Sequence, residues 1–275
     1  MRIAGPAVPR VLSIAGTDPT GGAGIQADLK TVGARGGYGL AVTTVLVAQN
    51  TCGVRSVHVP PSEFLREQLE AVSDDVELDA VKIGMLHSTD LVEVVSAWLE
   101  RTVPPVVVLD PVMVATSGDR LLEEGALAAV RALCGRVDLV TPNVAELAVL
   151  VGREPAVTWD DAVDQARELA RTARTTVLLK GGHLAGPTCS DAVVGAAGVV
   201  ARVDGPRSAA TSTHGTGCTL SAAVAVLAGG GASWGEALAR AKPWLAAAIE
   251  HGARLSVGRG AGPVDHFHET RVTST

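Results

Sequence analysis

The sequence is poor in aromatic residues and long apolar runs, and it carries no excess of positive charge. Aromatic residues make up only 3% of the 275 positions, so the core must come from Val, Leu, Ile and Ala, which suit parallel strands covered on both faces. The formal net charge of −6 offers no basic surface for nucleic acid. No apolar run approaches the roughly 20 residues of a membrane helix. We therefore expect neither nucleic acid nor membrane as a partner.

Paired cysteines are also absent from the sequence. The four cysteines lie far apart and form no C-x-x-C pair: Cys52, Cys134, Cys189 and Cys218. This spacing argues against a zinc knuckle and against a disulfide scaffold. The segment before the first predicted strand, 1–9, is too short for a signal peptide. Together these features predict a protein of the reduced cytoplasm.

Apolar strands alternate with amphipathic helices along the whole chain. Strands are predicted over 9–15, 39–48, 54–59, 79–83, 105–109, 138–140, 175–179, 191–194 and 199–203. Helices are predicted over 25–34, from 62 onward, 90–100, 123–133, up to 150, 160–171, 217–227 and 234–255. This alternation predicts an α/β fold with three layers, a doubly wound, mostly parallel sheet flanked by helices. No repeat or linker divides the chain, which predicts a single domain over 1–275.

The segments that follow the predicted strands are rich in polar residues, glycine or both. In doubly wound folds, ligands bind beyond the carboxyl ends of the strands. The segments in question are Gly16–Gly24, Gln49–Asn50, Gly84–Met85, Asp110–Met113, Thr141–Glu146 and Lys180–His183. Their shared character indicates an enzyme rather than a structural protein.

Two glycine-rich segments each open a helix. In the first, Gly22 and Gly24 match part of a dinucleotide fingerprint, but they lie several residues past the strand, and the second strand ends in Gln49–Asn50 rather than an acidic residue. We therefore interpret Gly16–Gly24 as a closing or substrate-lining loop. The second segment, Thr211–Ser221, would gather unpaired backbone N–H groups into an anion hole; the alternative is an ordinary cap before a buried helix.

Cys218 lies in the second glycine-rich segment, at the predicted helix start. A helix N-terminus should lower the pKa of its thiol. Three roles stay open for this residue: a general base toward a substrate hydroxyl, a hydrogen-bonding group, or a small apolar residue.

Charged residues suited to phosphoryl transfer follow three of the strands. Phosphoryl transfer needs cations, a metal held by carboxylates, and backbone donors. Asn143 and Glu146 share one helical face and, with Asp110, offer oxygen ligands that suit Mg²⁺. Lys180 could neutralise phosphate charge. For Asn143 and Glu146, a helix cap with its capping partner is the alternative.

Seven motifs in order resemble those of the hydroxymethylpyrimidine/phosphomethylpyrimidine kinases. They span nearly the whole chain: Ala15–Lys30, Ala48–Thr51, Lys82–Leu86, Asp110–Met113, Thr141–Asn143, Lys180–His183 and Thr213–Cys218, with a similar tail at Gly262–His268. The resemblance implies a ribokinase-like fold and a homodimer. It also implies ATP- and Mg²⁺-dependent phosphorylation of 4-amino-5-hydroxymethyl-2-methylpyrimidine, and then of its monophosphate, in thiamine biosynthesis.

The resemblance also implies roles for individual residues. The pyrimidine pocket would be lined by Gly16, Asp28, Gln49, Met85 and Val112, together with Cys218. The catalytic groups would be Lys180 and the anion hole of Gly215, Thr216, Gly217 and Cys218. The nucleotide would be bound by Asn143, Lys180, Thr213 and Gly215, and the metal by Asp110 and Glu146. Thr116 departs from the Lys of many relatives, which puts efficiency on the monophosphate in doubt.

Three other functions remain alternatives at this point. A pyridoxal kinase would also take a flat heterocycle with a hydroxymethyl group. A non-catalytic pyrimidine-binding protein would need no phosphoryl transfer, and a thiol enzyme would use Cys218 covalently. We expect His266 and His268 to make C-terminal structural contacts, and His183 to lie in a loop near the nucleotide.

Overall fold

The computed structural model of the chain describes residues 8–114, 118–119 and 121–271. Its strands are β1 (Arg10–Ala15), β2 (Tyr38–Thr43), β3 (Leu46–Asn50), β4 (Gly53–His58), β5 (Ala80–Ile83), β6 (Val107–Leu109), β7 (Leu139–Val140), β8 (Thr176–Lys180), β9 (Thr188–Gly195) and β10 (Gly198–Pro206). Its α-helices are α1 (Gly24–Ala34), α2 (Ser62–Ser73), α3 (Thr89–Thr102), α4 (Leu127–Cys134), α5 (Val144–Val151), α6 (Trp159–Ala173), α7 (Thr216–Gly229) and α8 (Trp234–Gly252). Short 3-10 turns at Glu124–Ala126 and Ala253–Leu255 precede α4 and follow α8.

Eight of these strands form one sheet in the order β10-β9-β8-β7-β6-β5-β1-β2. The pairings from β8 across to β2 are all parallel. The predicted hairpin of β9 and β10 extends the sheet with antiparallel pairings. A mostly parallel sheet is therefore confirmed, and its parallel strands all end at one common edge.

Apolar cores cover both faces of this sheet. One core takes residues from α2 through α6, among them Leu69, Leu91 and Leu147. The other takes residues from α1, α7 and α8. Helix α7 is buried continuously from Thr219 to Leu227, so other elements enclose it on every side. The three-layer prediction is confirmed, and the buried α7 fixes the position of its own N-terminus; the single-domain organisation stays a prediction.

The predicted strand 39–48 is wrong, because two strands in two different sheets occupy this stretch. Strand β2 belongs to the large sheet, whereas β3 pairs with β4 in a separate antiparallel pair. The chain leaves the large sheet at Thr44, whose N–H donates to Ala15 O (3.0 Å) and whose hydroxyl donates to Met85 O (2.7 Å). An uninterrupted apolar run cannot show such a change of sheet, because it depends on partners elsewhere in the chain.

The C-terminal histidines make structural contacts, as predicted. His266 is buried, and its Nε2 lies 3.1 Å from the Thr219 hydroxyl at the start of α7. Burial lowers the pKa of His266 to about 4, so the ring is neutral at pH 7. The His268 ring packs 5.9 Å from that of Trp244 on α8. In the part of the chain that the structure describes, no helix has the length and apolar character needed to cross a membrane.

Candidate active site

The N-terminus of α7 lies in the second glycine-rich segment, where the sequence predicts an anion hole. Gly215, its N-cap, has φ +78° and offers no side chain to the first helical N–H groups. The backbone N–H groups of Thr216, Gly217 and Cys218 therefore have no partner within the helix. The N–H of Thr216 donates to Thr213 O, just before the helix, at 3.4 Å. Partial positive charge collects at this end of a helix, so the site favours an anion.

An Asp–Lys ion pair faces the N-terminus of α7. Lys180 Nζ lies 2.8 Å from Asp110 Oδ1, which also accepts from the Thr141 hydroxyl at 3.2 Å. Asp110 Oδ2 is buried and has no hydrogen-bond partner. A side chain at Gly217 would bring its Cβ to 3.2 Å from Lys180 Nζ and 3.7 Å from Asp110 Oδ2. Glycine at 217 therefore leaves open the space between the helix start and this pair.

Asn143 and Glu146 form a capping box at the start of α5, which confirms the helix-cap alternative given for these two residues. The Asn143 side chain accepts from Glu146 N at 2.9 Å, and Glu146 Oε2 accepts from Asn143 N at 2.8 Å. The same Oε2 lies 3.8 Å from Lys180 Nζ, so capping holds the carboxylate beside the ion pair. Burial raises the pKa of Glu146 to about 7, despite the opposing effect of Lys180.

The carboxylates of this cluster fit a magnesium ion. Although burial alone would raise it, the pKa of Asp110 is lowered because Lys180 and Lys82 stabilise its charged form. The result is an ionised carboxylate with one unpartnered oxygen, which is the kind of donor that Mg²⁺ requires. No cluster of three or more His, Cys, Asp or Glu side chains suited to a metal occurs among the described residues. Mg²⁺ is usually held by one or two carboxylates, waters and substrate phosphates.

A second Asp–Lys pair, Asp28 with Lys82, is completely closed. Lys82 Nζ lies 2.9 and 2.8 Å from the two oxygens of Asp28, and Asp28 Oδ2 also accepts from the Ser13 hydroxyl at 2.6 Å. Both side chains are at most 1% exposed. The charge of Asp28 raises the pKa of Lys82 in spite of burial, so the lysine is protonated. The Asp28 carboxylate thus faces Lys82, not an open cavity.

The thiol of Cys218 does not have the lowered pKa predicted from its position at a helix start. Burial raises the pKa of Cys218 to about 11, and the negative charges of Asp110 and Asp28 act in the same direction. Lys82 and the Gly24 N–H oppose this shift but do not outweigh it. The prediction was wrong because it considered only the helix end and not the burial of the thiol.

Three of the residues predicted to line the pyrimidine pocket, Gly16, Met85 and Val112, follow β1, β5 and β6. At Gly16 an added Cβ would lie 2.7 Å from Met85 Cε and 2.8 Å from Val45 Cγ2, so these side chains pack directly on the loop backbone. Val112 is partly buried against the same core. Gln49, at the end of β3, is half-buried and lies near Asp18, whose pKa it helps to lower.

Two remaining predictions concern the edge of the site. Thr116 lies outside the described residues. His183 follows Lys180 by three positions and is exposed at the surface. Partial desolvation, together with the positive charges of Lys180 and Arg207, lowers the pKa of His183.

Sequence reasoning missed two charged residues that the structure brings into the site. The sequence motif includes Lys82 without assigning it a role. A lysine inside a short apolar parallel strand needs a buried partner of opposite charge, so its position in the strand is the signal that predicts an ion pair. Asp18 was noted only within the glycine-rich loop. Its partner His214 is 196 positions away, a separation across which local patterns carry no signal.

Comparison with known proteins gives the family. The family described as phosphomethylpyrimidine kinase matches residues 18–265. The hydroxymethylpyrimidine/phosphomethylpyrimidine kinase of Salmonella typhimurium is 49% identical over 94% of this chain and 97% of its own length. A thiamine biosynthesis multifunctional protein of Corynebacterium glutamicum is 55% identical over 97% of this chain. The chain spans only about a third of the length of that protein and of its relative from Corynebacterium efficiens (35% and 36%).

Solved structures share the fold over most of both chains. The ADP complex of Bacillus subtilis pyridoxal kinase superimposes with a TM-score of 0.87 at 31% identity, covering 95% of this chain and 98% of that one. Phosphomethylpyrimidine kinase from Clostridium difficile superimposes with a TM-score of 0.77 at 35% identity, covering 88% and 99%. The family match, the identities and the site geometry agree, and the chain belongs to the phosphomethylpyrimidine kinase family.

Proposed function

We propose that this chain uses ATP to phosphorylate 4-amino-5-hydroxymethyl-2-methylpyrimidine, and then the resulting monophosphate, in thiamine biosynthesis. The observation that carries the proposal is the Asp110–Lys180 pair, which faces the open N-terminus of α7 across Gly217. A cation, an ionised carboxylate and free backbone donors converge there, as phosphoryl transfer requires. The 49% identity to the Salmonella typhimurium kinase supports the substrate.

The helix start and Lys180 would stabilise the transferring phosphoryl group. The N–H groups of Gly215, Thr216, Gly217 and Cys218 belong to a fixed helix end and need no reorganisation when charge develops. Lys180 keeps its charge there, because Asp110 and Glu146 raise its pKa to about 12 in spite of burial. On this proposal Asn143 and Thr213, with Lys180 and Gly215, lie on the nucleotide side.

Asp110 and Glu146 are the residues that would hold magnesium. The unpartnered Oδ2 of Asp110 and the carboxylate of Glu146 offer hard oxygen donors on either side of Lys180. Magnesium bound there would neutralise part of the negative charge of the nucleotide phosphates. Lys180 lies within 4 Å of both carboxylates and offsets part of their negative charge, and Lys82 also stabilises the charged form of Asp110.

Gly16, Asp28, Gln49, Met85 and Val112 would form the pyrimidine side of the site. Met85 and Val112 offer apolar walls to a flat ring, and the Gln49 amide can donate to and accept from an aminopyrimidine. Asp28 is enclosed by Lys82 and Ser13, so its part in the pocket would be to hold Lys82 in its charged form.

Cys218 would lie between the pyrimidine side and the anion hole. The hydroxymethyl oxygen attacks the γ-phosphorus while the bond from phosphorus to the departing ADP oxygen breaks, and the hydroxyl proton must leave. In a loose transition state this proton leaves late. A thiol with a pKa of about 11 is mostly protonated at pH 7, so base catalysis by Cys218 stays a prediction whose pH dependence tests it.

Pyridoxal phosphorylation is the second candidate function. The observation in its favour is the TM-score of 0.87 to Bacillus subtilis pyridoxal kinase, above the 0.77 to the Clostridium difficile phosphomethylpyrimidine kinase. Sequence identity favours the pyrimidine, at 49% for the Salmonella typhimurium kinase against 31% for the pyridoxal kinase.

A homodimer and a cytoplasmic location complete the proposal. Leu46 and Val59 are exposed at the same end of the β3–β4 pair, which supports an apolar contact outside the large sheet. The four cysteines are free, which supports a reducing compartment. Light scattering after size-exclusion chromatography would test the dimer by mass.

The test of the proposed function is ATP consumption by the purified protein with Mg²⁺, with products identified by mass. Hydroxymethylpyrimidine, its monophosphate and pyridoxal are supplied separately. We expect turnover of both pyrimidines well above that of pyridoxal. Turnover of pyridoxal alone would change the substrate, and turnover of none would favour a pyrimidine-binding protein.

A further inference from the structure

Asp18 lies in the glycine-rich loop and is completely buried, at 0% exposure. Its carboxylate accepts hydrogen bonds from Thr20 N (2.9 Å), Thr20 Oγ1 (2.8 Å), Gly22 N (3.1 Å), Ala23 N (2.8 Å) and His214 Nε2 (2.7 Å). These bonds lower the pKa of Asp18 although burial opposes them. A buried carboxylate with so many donors is ionised and holds its neighbours in one geometry.

The bond to His214 connects this loop to the anion hole. His214 immediately precedes Gly215, the N-cap of α7, and is 196 positions away from Asp18 in the sequence. The two segments also touch through their backbones. An added Cβ at Gly215 would lie 1.8 Å from Gly22 O, and one at Gly22 would lie 2.4 Å from His214 Cδ2. No side chain fits at either glycine, so the loop backbone rests directly on the helix start.

Asp18 is linked to the pyrimidine side as well. The Gln49 side chain lies near the Asp18 carboxylate and helps to lower its pKa, and the Asp18 N–H donates to the Gln26 side chain at 2.8 Å. The loop that carries Asp18 also begins at Gly16, which packs on Met85 of the pyrimidine side. Its contacts do not include the ion pairs of Lys180 and Lys82.

We propose that Asp18 is a positioning residue that sets the distance between the pyrimidine side and the anion hole. Through His214 it keeps the glycine-rich loop, which begins at Gly16 of the pyrimidine side, seated on Gly215, so that the acceptor hydroxyl stays aligned with that hole. This inference rests on the proposed function. Because displacement of a reacting group by about 1 Å can cost about 10²-fold in rate, a loosened link should lower kcat and leave ATP binding nearly unchanged.

The main test is the variant Asp18→Asn, which keeps the shape of the side chain but replaces one acceptor oxygen by a donor. We expect kcat for the pyrimidine to fall by about 10²-fold while KM for ATP stays within about twofold. Amide hydrogen exchange at Gly22 and Ala23 should become faster, since their N–H groups donate to Asp18. A kcat within about threefold of wild type would overturn the proposal.

A matched control and a second pair of variants keep the test decisive. Asp79 also accepts several bonds, from Arg10 N, Nε and Nη2, but it precedes β5 at the opposite edge of the sheet. Asp79→Asn should leave kcat unchanged; an equal loss there would mean that a general loss of structure explains both. If Asp18→Asn fails to fold, His214→Gln and His214→Ala replace it. The glutamine can still donate to Asp18, so it should retain at least tenfold more activity than the alanine, and equal activities would overturn the proposal.

The assay also separates this proposal from the proposed function. A wild-type protein that phosphorylates no pyrimidine would overturn the proposed function and, with it, the kinetic role of Asp18. The hydrogen-exchange comparison would still decide whether Asp18 holds the loop, because it needs no substrate. Unchanged exchange at Gly22 and Ala23 in Asp18→Asn would overturn that structural part.

Discussion

The two buried Asp–Lys pairs of the site differ in how completely their charges are satisfied. Asp28 and Lys82 form a closed pair, in which both carboxylate oxygens contact the ammonium group and the exposed fractions are 0% and 1%. Asp110 and Lys180 form an open pair, in which Oδ2 of the aspartate is unpartnered and the lysine is 13% exposed. Both pairs interact electrostatically with Cys218.

The difference between the pairs indicates that they have different roles. A buried charge without a full set of partners is costly, so the unpartnered Oδ2 of Asp110 supports a ligand at that oxygen. The closed pair has no unpartnered carboxylate oxygen, so we expect it to act by holding its own charges in place. We therefore expect the closed pair to matter mainly for stability and the open pair mainly for catalysis.

Breaking the closed pair should have the largest effect. Lys82→Met leaves the Asp28 carboxylate buried without its cation, and we expect the free energy of unfolding to fall by about 3–5 kcal/mol. Urea unfolding followed by circular dichroism measures this change. The double variant Lys82→Met with Asp28→Asn should recover part of the loss, because no unpaired charge remains. Additive losses in the double variant would contradict the closed-pair interpretation.

Removing the negative charge of Asp110 from the open pair should lower kcat. Asp110→Asn keeps the volume but removes the ionised oxygen, and we expect kcat to fall by about 10²–10³-fold. Steady-state kinetics at several Mg²⁺ concentrations measures the loss, which added Mg²⁺ should not restore. Asp138→Asn, which lies just before β7 at the opposite edge of the sheet, is the control and should keep wild-type kcat. A loss below tenfold for Asp110→Asn would mean that the orphaned oxygen is not used.

Cys218 interacts electrostatically with both pairs, so the protonation of its thiol depends on both. If the thiol is the base, Cys218→Ala should lower kcat by about 10²-fold. Because the thiol pKa is about 11, the thiolate fraction rises about tenfold per pH unit between pH 7 and 10. The wild-type kcat should rise in that range, and the variant should lose this slope. A pH–rate profile measures both.

A matched cysteine controls this experiment. Cys134 is also buried, and burial raises the pKa of its thiol to about 12, but it lies at the end of α4, away from both ion pairs. Cys134→Ala should keep the rate and the slope. A loss well under tenfold in Cys218→Ala, with the slope intact, would leave Cys218 only a pocket-lining role.

The smallest effect concerns the extra carboxylate beside the open pair. Burial raises the pKa of Glu146 from 4.5 to about 7, so ionisation is less favourable in the folded chain than in the unfolded one. The associated stability is complete below pH 4.5 and is lost as the pH rises through 7. Glu146→Gln removes this loss, so its free energy of unfolding relative to wild type should rise by about 3 kcal/mol between pH 4.5 and pH 8. Urea unfolding across this range without Mg²⁺ measures the gain, and a constant difference between the two proteins would contradict it.

The fold and the location of the site were predictable because both follow from local patterns. Strand–helix alternation predicted the parallel sheet, and parallel strands necessarily bring Asp110, Asn143 and Lys180 to one edge. The glycines of the second segment predicted the open helix start at Gly215. The change of sheet at Thr44 was not predictable, because it depends on Ala15 and Met85, which belong to other elements.

The sequence by itself determined the order of the elements, the edge at which the polar residues gather, and the family resemblance. Tertiary structure decided which charges meet and how far each is buried. Lys82 reaches Asp28 across 54 positions and Asp18 reaches His214 across 196, and burial reverses the pKa shift expected for Cys218. The physical reason is that periodicity and turn chemistry act over a few residues, whereas desolvation and ion pairing depend on everything packed around a group.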